Sequence, residues 1–372
     1  MSDLDNQYDC EPWPEPVDGN ELVEEIYTAI EKCIYLTSEQ ILAITYWVLH
    51  TYFIRTKGEQ QAFRYSPILL LTSWLYGCGK TVLQDLLTEM SNKSQKAANI
   101  SISSLFRLLQ SKQPALFLDE IDTYFPNRDE LIGILNAGYD ERVGTVLRQS
   151  SKGNDWSKTE EFAVWGAKCL AGIGSQVATL ESRSIKIQLV RKPTQHKLAR
   201  VHDVIAQDRE LFLNIRRKCV RFAIDNEEAL TRQPTTYSDK LSDRTNDCWS
   251  GLFKLAALIG GDIQNLQDAA IKLSSSSGPE KSEFEEFLLD LKSFVESFPQ
   301  SRIPSNALVE YLRSLEDRPY RYKGFSAYDL ASKFRPHGMG PVQMRAEGSN
   351  RNVKGYEKAD LQQLISKYLQ EG

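Results

Sequence analysis

The sequence predicts the α/β fold class, with a mostly parallel, five-stranded core sheet. Five short apolar or alternating segments, typical of strands, are separated by segments whose apolar residues recur at helical spacing. These strand segments are 68–71, 97–101, 115–119, 168–174 and 184–190. Strands that alternate with helices are joined by right-handed crossovers and therefore run parallel.

A turn containing two glycines follows the first predicted strand. It reads Gly77, Cys78, Gly79, Lys80, Thr81 and Val82, and helical spacing begins at its end. The turn and the first helical residues offer free backbone N–H groups and a positive dipole to a polyphosphate. We expect Lys80 to reach the β- and γ-phosphates of ATP and the Thr81 hydroxyl to bind Mg²⁺. A helix-capping turn is the alternative, because Trp74 stands where the full P-loop pattern has glycine.

Two carboxylates end the third predicted strand. Asp119 and Glu120 follow the apolar run 115–118. We expect Asp119 to hold Mg²⁺ and Glu120 to activate the attacking water. The alternative is a strand that ends in solvated acids. The spacing of Asp119 and Glu120 behind the Gly-Lys-Thr turn favours a P-loop ATPase.

Two further positions are candidates for contact with phosphate. Ser175 follows the fourth strand, where a polar residue senses the γ-phosphate in such ATPases. Arg183 precedes the fifth strand, where an arginine of AAA+ rings reaches the nucleotide of a neighbouring subunit. A surface arginine is the alternative for Arg183. A β-hairpin between 143 and 165 precedes the fourth strand, as in AAA+ helicases, and its polar tip carries two candidate DNA contacts, Lys152 and Lys158.

Composition excludes several classes of protein. No apolar run approaches the roughly 20 residues that span a bilayer, and the acidic N-terminus is no secretory signal. The six cysteines lack metal-type spacing, so we expect reduced thiols and a cytoplasmic location. The net charge is −5, with 3 basic and 12 acidic residues in 1–60 but 12 basic and 8 acidic residues in 301–372. We therefore expect contact with nucleic acid near the C-terminus.

The predicted domain organisation has six parts. They are a flexible leader (1–19), an N-terminal helical segment (20–60), the ATPase core (61–193), a helical lid or subdomain (194–273), a linker (274–282) and a winged-helix-like domain (283–372). The last part combines three helices, a two-stranded wing and a final helix. Its candidate phosphate contacts are Arg335, Arg345, Arg351 and Lys354. A protein-docking module is the alternative for this domain.

Several stretches together carry a resemblance to a known family. They include 11–19, 47–51, 73–81, 118–123, 134–138, 171–174, 183–185 and 243–249. The chain resembles, from about residue 11 to 369, an uncharacterised P-loop family of phages, plasmids and integrative elements. Members of that family often follow a primase region and carry a helicase label that leaves the activity open.

The resemblance implies ATP hydrolysis in a mobile genetic element, with any primase acting in trans. With the motifs, it favours an ATP- and Mg²⁺-dependent DNA helicase or translocase that works as a ring or other oligomer. The alternative is an ATP-dependent switch or loader that recruits a partner on DNA in transposition, partition or phage defence without unwinding. The two alternatives stay open at this level.

Overall fold

The chain divides into two compact units. The computed structural model describes residues 7–369 except for 56–59, 74, 98–99, 122–127, 150–158, 175, 194, 196, 262, 276–282, 316–317, 319, 321–323 and 346–351. The first unit comprises residues 1–73 and 77–275, and the second includes residues 276–372.

The first unit contains a five-stranded, all-parallel sheet and a separate hairpin. Its strands are β1 (Ile68–Ser73), β2 (Gln95–Ala97), β3 (Leu116–Leu118), β4 (Thr145–Gln149), β5 (Thr159–Ala163), β6 (Lys168–Ile173) and β7 (Ser184–Gln188). The order in the sheet is β2-β3-β6-β1-β7, and β4 pairs antiparallel with β5. The predicted α/β class and parallel sheet are confirmed.

Ten described helices surround this sheet. They are α1 (Gly19–Glu31), α2 (Ser38–Thr51), α3 (Lys80–Met90), α4 (Ile102–Lys112), α5 (Arg128–Ala137), α6 (Ala178–Glu181), α7 (Val201–Gln207), α8 (Arg209–Arg232), α9 (Asp243–Ile259) and α10 (Ile263–Ser274). Several begin at side-chain caps; Thr37 and Gln40, for example, form a reciprocal capping box at α2.

The central strand β1 is buried on both faces, which explains its continuous apolar sequence. Leu69 and Leu71 belong to one core cluster, together with residues of α1–α3 and α7–α10. Ile68 and Leu70 belong to another, together with residues of α4–α6. Alternate residues of a strand point to opposite faces, so one short segment anchors both helical layers.

Helices α7–α10 belong to the same compact unit as the sheet. Trp249 and Leu252 of α9 lie in the same core cluster as Trp47 of α2 and Leu71 of β1. The predicted helical lid or subdomain at 194–273 therefore shares its core with the sheet. Apolar spacing predicts these helices, but it does not say which partner covers them.

The segment before α1 is held against the fold, although the sequence predicts a flexible leader over 1–19. The buried Tyr8 contacts Arg55 through its hydroxyl, 3.0 Å from Nη2. The backbone N–H of Trp13 donates to the carbonyl of Arg217 in α8 at 2.9 Å, and the Arg217 guanidinium lies 5.4 Å from the indole. Burial of aromatic surface offsets the entropy cost of ordering this segment, whereas composition alone predicts that the entropy cost is larger. The prediction is corrected from Tyr8 onward.

The second unit has its own core and a three-stranded antiparallel sheet. Its elements are α11 (Glu283–Ser297), β8 (Arg302–Pro304), α12 (Ser305–Ser314), α13 (Ala327–Phe334), β9 (Val342–Arg345), β10 (Asn352–Glu357) and α14 (Lys358–Tyr368). The order is β8-β10-β9. The sequence predicts the helices and the β9–β10 pair but not β8. A Cβ at Gly355 would lie 2.4 Å from the Ile303 carbonyl oxygen, so glycine permits the close approach of β8.

Candidate functional site

The turn between β1 and α3 depends on two glycines in the left-handed region. Gly77 has φ +71° and Gly79 has φ +91°. A Cβ at either position would meet nothing within 4 Å, so backbone conformation rather than space favours glycine here. Gly79 is the N-cap of α3 and provides no side-chain hydrogen bond to the first helical turn. The first N–H groups of α3 therefore lack the usual side-chain cap.

Lys80 folds back towards the end of β1. Its Nζ donates to Oγ of Ser73, the last residue of that strand, at 2.5 Å. Cys78 is half-buried beside it, and Val82 is exposed in the first turn of α3. The ammonium is thus held at the mouth of the glycine turn.

Thr81 and Asp119 come together from separate elements. The Thr81 hydroxyl donates to Oδ2 of Asp119 at 2.9 Å. The buried Gln84 side chain donates to the Leu118 carbonyl at 3.0 Å and thereby ties α3 to the end of β3. Because β6 lies between β1 and β3, this contact bridges the space above one intervening strand. The structure therefore brings together the two motifs that the sequence predicts to cooperate.

Glu120 lies beside Asp119 in an unusual backbone conformation. Its φ is +51°, and its side chain is exposed. Its backbone N–H donates to Oδ1 of Asp119 at 2.9 Å, which orients that carboxylate. A non-glycine residue in the left-handed region costs about 1–2 kcal/mol, and such strain is often found at functional positions.

Sequence reasoning missed an ion pair near this end of α3. Lys96 of β2 pairs with Asp85 of α3 at 2.6 Å, and its Nζ lies 3.5 Å from the carbonyl oxygen of Thr81. The pair ties the edge strand to the helix that carries Lys80. No sequence signal marks it, because two common charged residues on different elements meet only through the fold.

Arg183 lies at the amino ends of the strands, whereas the glycine turn lies at their carboxyl ends. Its backbone carbonyl accepts from Ile68 at the beginning of β1, whereas the glycine turn follows the end of β1. Nη1 of Arg183 donates to the Thr179 carbonyl at 2.7 Å, and the guanidinium lies 6.0 Å from the centroid of the Tyr139 ring. Burial, together with the nearby Arg244, lowers the pKa of Arg183. Five residues of strand span about 17 Å, so Arg183 and Lys80 of one chain serve different surfaces.

Three basic positions of the second unit are exposed. Arg345 lies opposite Asn352 in the β9–β10 pair and two positions from Lys354. Met344 is buried, so its strand neighbour Arg345 faces away from the core, as Lys354 does. Arg335 follows α13 and is also exposed. Two of the predicted contacts thus share one face of the hairpin.

Some predicted site residues lie outside the described part of the chain. They are Ser175, Lys152, Lys158 and Arg351. Within the described residues, no group of three or more His, Cys, Asp or Glu side chains could hold a metal ion. No helix among them is long and apolar enough to cross a membrane.

Comparison with known proteins finds a match to a protein family. Residues 189–368 match the family described as "Protein of unknown function (DUF3631)". No curated protein matches the chain. The matched range begins after β7 and includes the second unit, so a resemblance to a family of unknown function holds for this part. Lys80, Thr81, Asp119 and Glu120 lie outside it, and their interpretation rests on geometry and sequence.

Proposed function

We propose that the first unit is a P-loop ATPase of the AAA+-like kind that binds and hydrolyses ATP with Mg²⁺. The contact that carries this proposal is the 2.9 Å hydrogen bond from Thr81 to Asp119. A hydroxyl at the start of one helix and a carboxylate at the end of another strand meet beside an uncapped helix N-terminus. A sheet order with one strand between β1 and β3 also fits the ATPase branch in which a glutamate follows the metal-binding aspartate.

The donor set fits a nucleotide with its magnesium ion. The first-turn N–H groups of α3, which have no side-chain cap, and the Lys80 ammonium would bind phosphate oxygens. Thr81 and Asp119 offer hard oxygen ligands, and Mg²⁺ commonly takes only one or two protein ligands, with phosphates and water completing its shell. When bound, the ion would neutralise charge that develops on the transferred phosphoryl group.

Glu120 is the side chain we propose for activation of water. It is exposed next to Asp119, and its backbone is strained. An exposed carboxylate can accept a proton from water or orient it towards a phosphoryl group. Arg183 faces away from this site and would instead complete the site of a neighbouring subunit, which implies an oligomer.

Turnover measurements test this assignment. We expect Lys80→Ala to raise the Kd for MgATP about thirtyfold through loss of a charged hydrogen bond. We expect Glu120→Gln to bind MgATP normally and to lose at least about a hundredfold in kcat. Lys240→Ala and Glu228→Gln, both on the surface and outside the site, are the controls. Wild-type rates in both site variants would refute the proposal.

We further propose that the ATPase works on DNA as a helicase or translocase of a mobile genetic element. The β4–β5 hairpin before β6 supports this, because AAA+ helicases carry a hairpin there. The order of helices and strands in the second unit supports a winged-helix assignment, and Arg345 and Lys354 lie on one outer face of its hairpin. The sequence resemblance supports a mobile-element setting, with a separate primase as a candidate partner.

DNA binding can be tested through its dependence on salt. Replacing Arg345 and Lys354 with Gln should weaken DNA binding and reduce the slope of log K against log salt by about 2. Arg302→Gln is a matched control, because Arg302 is on the same sheet but pairs with Glu357 at 2.7 Å. Salt-insensitive binding, or a double variant that binds as wild type, would favour a protein-docking role.

The second candidate is an ATP-dependent switch or loader. It needs the same nucleotide site and the same second unit, but no strand separation. A forked-DNA assay separates the two: DNA-stimulated ATP hydrolysis without strand displacement supports the switch, and ATP-dependent displacement supports the helicase.

A further inference from the structure

A buried tyrosine lies close to two arginines at the amino ends of the strands, opposite the glycine turn. Tyr139 is 2% exposed. The guanidinium carbons of Arg183 and Arg244 lie 6.0 and 5.2 Å from its ring centroid. Arg183 precedes β7, and Arg244 is in the first turn of α9, so residues far apart in sequence meet on one ring. The ring fixes both cations by cation–π contact while leaving their N–H donors for other partners.

Neither guanidinium forms an ion pair with a carboxylate of the described residues. Arg183 donates to the Thr179 carbonyl, and Arg244 is exposed. Asp140, the residue after Tyr139, pairs instead with Arg64 at 3.3 Å. Two neighbouring cations without a carboxylate repel each other, and the lowered pKa of Arg183 reflects both its burial and Arg244. An anion bound between them would relieve this repulsion.

We propose that Arg183 and Arg244 together bind phosphate oxygens of a nucleotide held by a second copy of this chain. The inference rests on the proposed ATPase function and adds Arg244 to it as a second catalytic residue. Arginine forks suit phosphate oxygens, because each guanidinium can donate two parallel hydrogen bonds. The pair lies at the amino ends of the strands, so it cannot serve the glycine turn of its own chain.

The same arrangement implies a head-to-tail interface. One face of the subunit carries the glycine turn, Thr81 and Asp119, and the opposite sheet edge carries the arginine pair. An interface between unlike faces produces a ring or a filament rather than a two-fold dimer. A small polyphosphate suits this pair better than DNA does, because Asp140, Asp243 and Asp247 lie in the same two stretches of sequence and add negative charge to them.

Arg183→Gln and Arg244→Gln test the pair by removing each positive charge while keeping a polar side chain. We expect each to lower kcat for ATP hydrolysis on the order of a hundredfold and to leave the Kd for MgATP within about twofold. Arg64→Gln is the matched control: an arginine on a neighbouring tyrosine whose charge is already paired with Asp140. It should retain wild-type kcat.

Mixed oligomers decide whether Arg244 acts on a neighbour. Arg244→Gln keeps its own nucleotide site, and Lys80→Ala keeps its own Arg244. In an equimolar mixture we expect activity well above that of either variant alone, near a quarter of wild type for random mixing around a head-to-tail ring. The same rescue is expected with Arg183→Gln, and it also shows that these variants fold.

The outcomes distinguish the two proposals. If wild type hydrolyses no ATP, the proposed function fails, and the arginine pair fails with it. If wild type hydrolyses ATP and Arg244→Gln is unaffected, only the pair is refuted. A loss that mixing with Lys80→Ala does not rescue also refutes action on a neighbour. Loss of DNA affinity in Arg244→Gln with unchanged basal kcat would reassign the pair to nucleic acid and overturn the proposal.

Discussion

The two edges of the parallel sheet hold charge in different ways. At the carboxyl ends of the strands, Asp119 is half-exposed and accepts from the Thr81 hydroxyl and from the Glu120 backbone N–H, and the Glu120 side chain is exposed. At the amino ends, Lys168 is 1% exposed, and its Nζ donates to the carbonyls of Gly138 and Gly166 at 3.0 and 2.8 Å. The acids at the carboxyl ends are accessible to a ligand, whereas Lys168 is buried and joins backbone segments.

This difference shows that a charged residue at a strand end is not by itself a functional signal. Burial lowers the pKa of Lys168 to about 7, and no carboxylate contributes to that shift. Its environment is typical of a structural group that satisfies carbonyl oxygens, and its burial leaves it out of reach of a ligand. The predictions below test this contrast, from the largest expected effect to the smallest.

Asp119→Asn should abolish function without affecting folding. We expect kcat for ATP hydrolysis to fall on the order of a thousandfold, because an amide oxygen is a poor substitute for a metal-binding carboxylate. Unfolding free energy should change by less than about 1 kcal/mol, since the side chain is half-exposed. Asp225→Asn, which removes an exposed carboxylate paired with Arg221, is the control for turnover. A large loss of stability in Asp119→Asn would contradict the contrast, because Asp119 would then have a structural role as Lys168 does.

Lys168→Met should change how stability depends on pH. Between about pH 7 and 10.5 the unfolded chain holds a proton on Lys168 that the folded chain releases, so wild-type stability rises with pH across this window. From pH 7 to 9.5 the wild type should gain about 3 kcal/mol relative to Lys168→Met.

Urea unfolding at the two pH values measures this difference, and groups common to both chains cancel. Equal pH dependence in the two proteins would mean that Lys168 keeps its charge when buried. At pH 9.5, ATP turnover of wild type and of Lys168→Met should differ only by the fraction of each protein that is folded.

Two glycines contrast the edges through different physical causes. A Cβ at Gly138 would lie 2.1 Å from the Val164 carbonyl oxygen and 2.4 Å from Lys168 Nζ. We therefore expect Gly138→Ala to cost about 3 kcal/mol through overpacking. Gly79→Ala meets no atom, so only its left-handed backbone should cost stability, about 1–2 kcal/mol. Denaturant unfolding measures the loss of stability in each variant, and a larger loss in Gly79→Ala than in Gly138→Ala would contradict this contrast. Of the two variants, only Gly79→Ala should lose MgATP binding while it is folded.

Glu120→Gly should stabilise the protein while removing turnover. Glycine relieves the left-handed strain, and the gain of about 0.5–1 kcal/mol is what remains after its greater unfolded-state entropy. Lys93→Gly is a matched control, because Lys93 also has positive φ, +46°, but lies outside the site. It should keep its activity. A destabilised Glu120→Gly would show that the strain is compensated by contacts of the side chain.

The features that the sequence predicts are those that a short stretch of residues encodes by itself. Apolar runs and their spacing predict the parallel sheet and most helices, and two glycines before Lys80 predict the turn at the end of β1. The acids Asp119 and Glu120 are recognisable for the same reason, since each motif is complete within a few residues. The hydrogen bond from Thr81 to Asp119 follows because parallel strands end at one common edge.

Only the tertiary structure decided the remaining features. Tyr8 and Trp13 fasten a proline-rich segment that composition predicts to be free, because their partners, Arg55 and Arg217, are distant in sequence. Lys168 appears as one charged residue beside an apolar strand, and only its burial among carbonyls separates it from a ligand-binding lysine. The local pattern around Arg244 indicates a helix start, whereas its meeting with Arg183 on Tyr139 depends on packing between α9 and the sheet edge. Local order is encoded by spacing, but the electrostatic environment of a side chain depends on contacts that the folded chain alone creates.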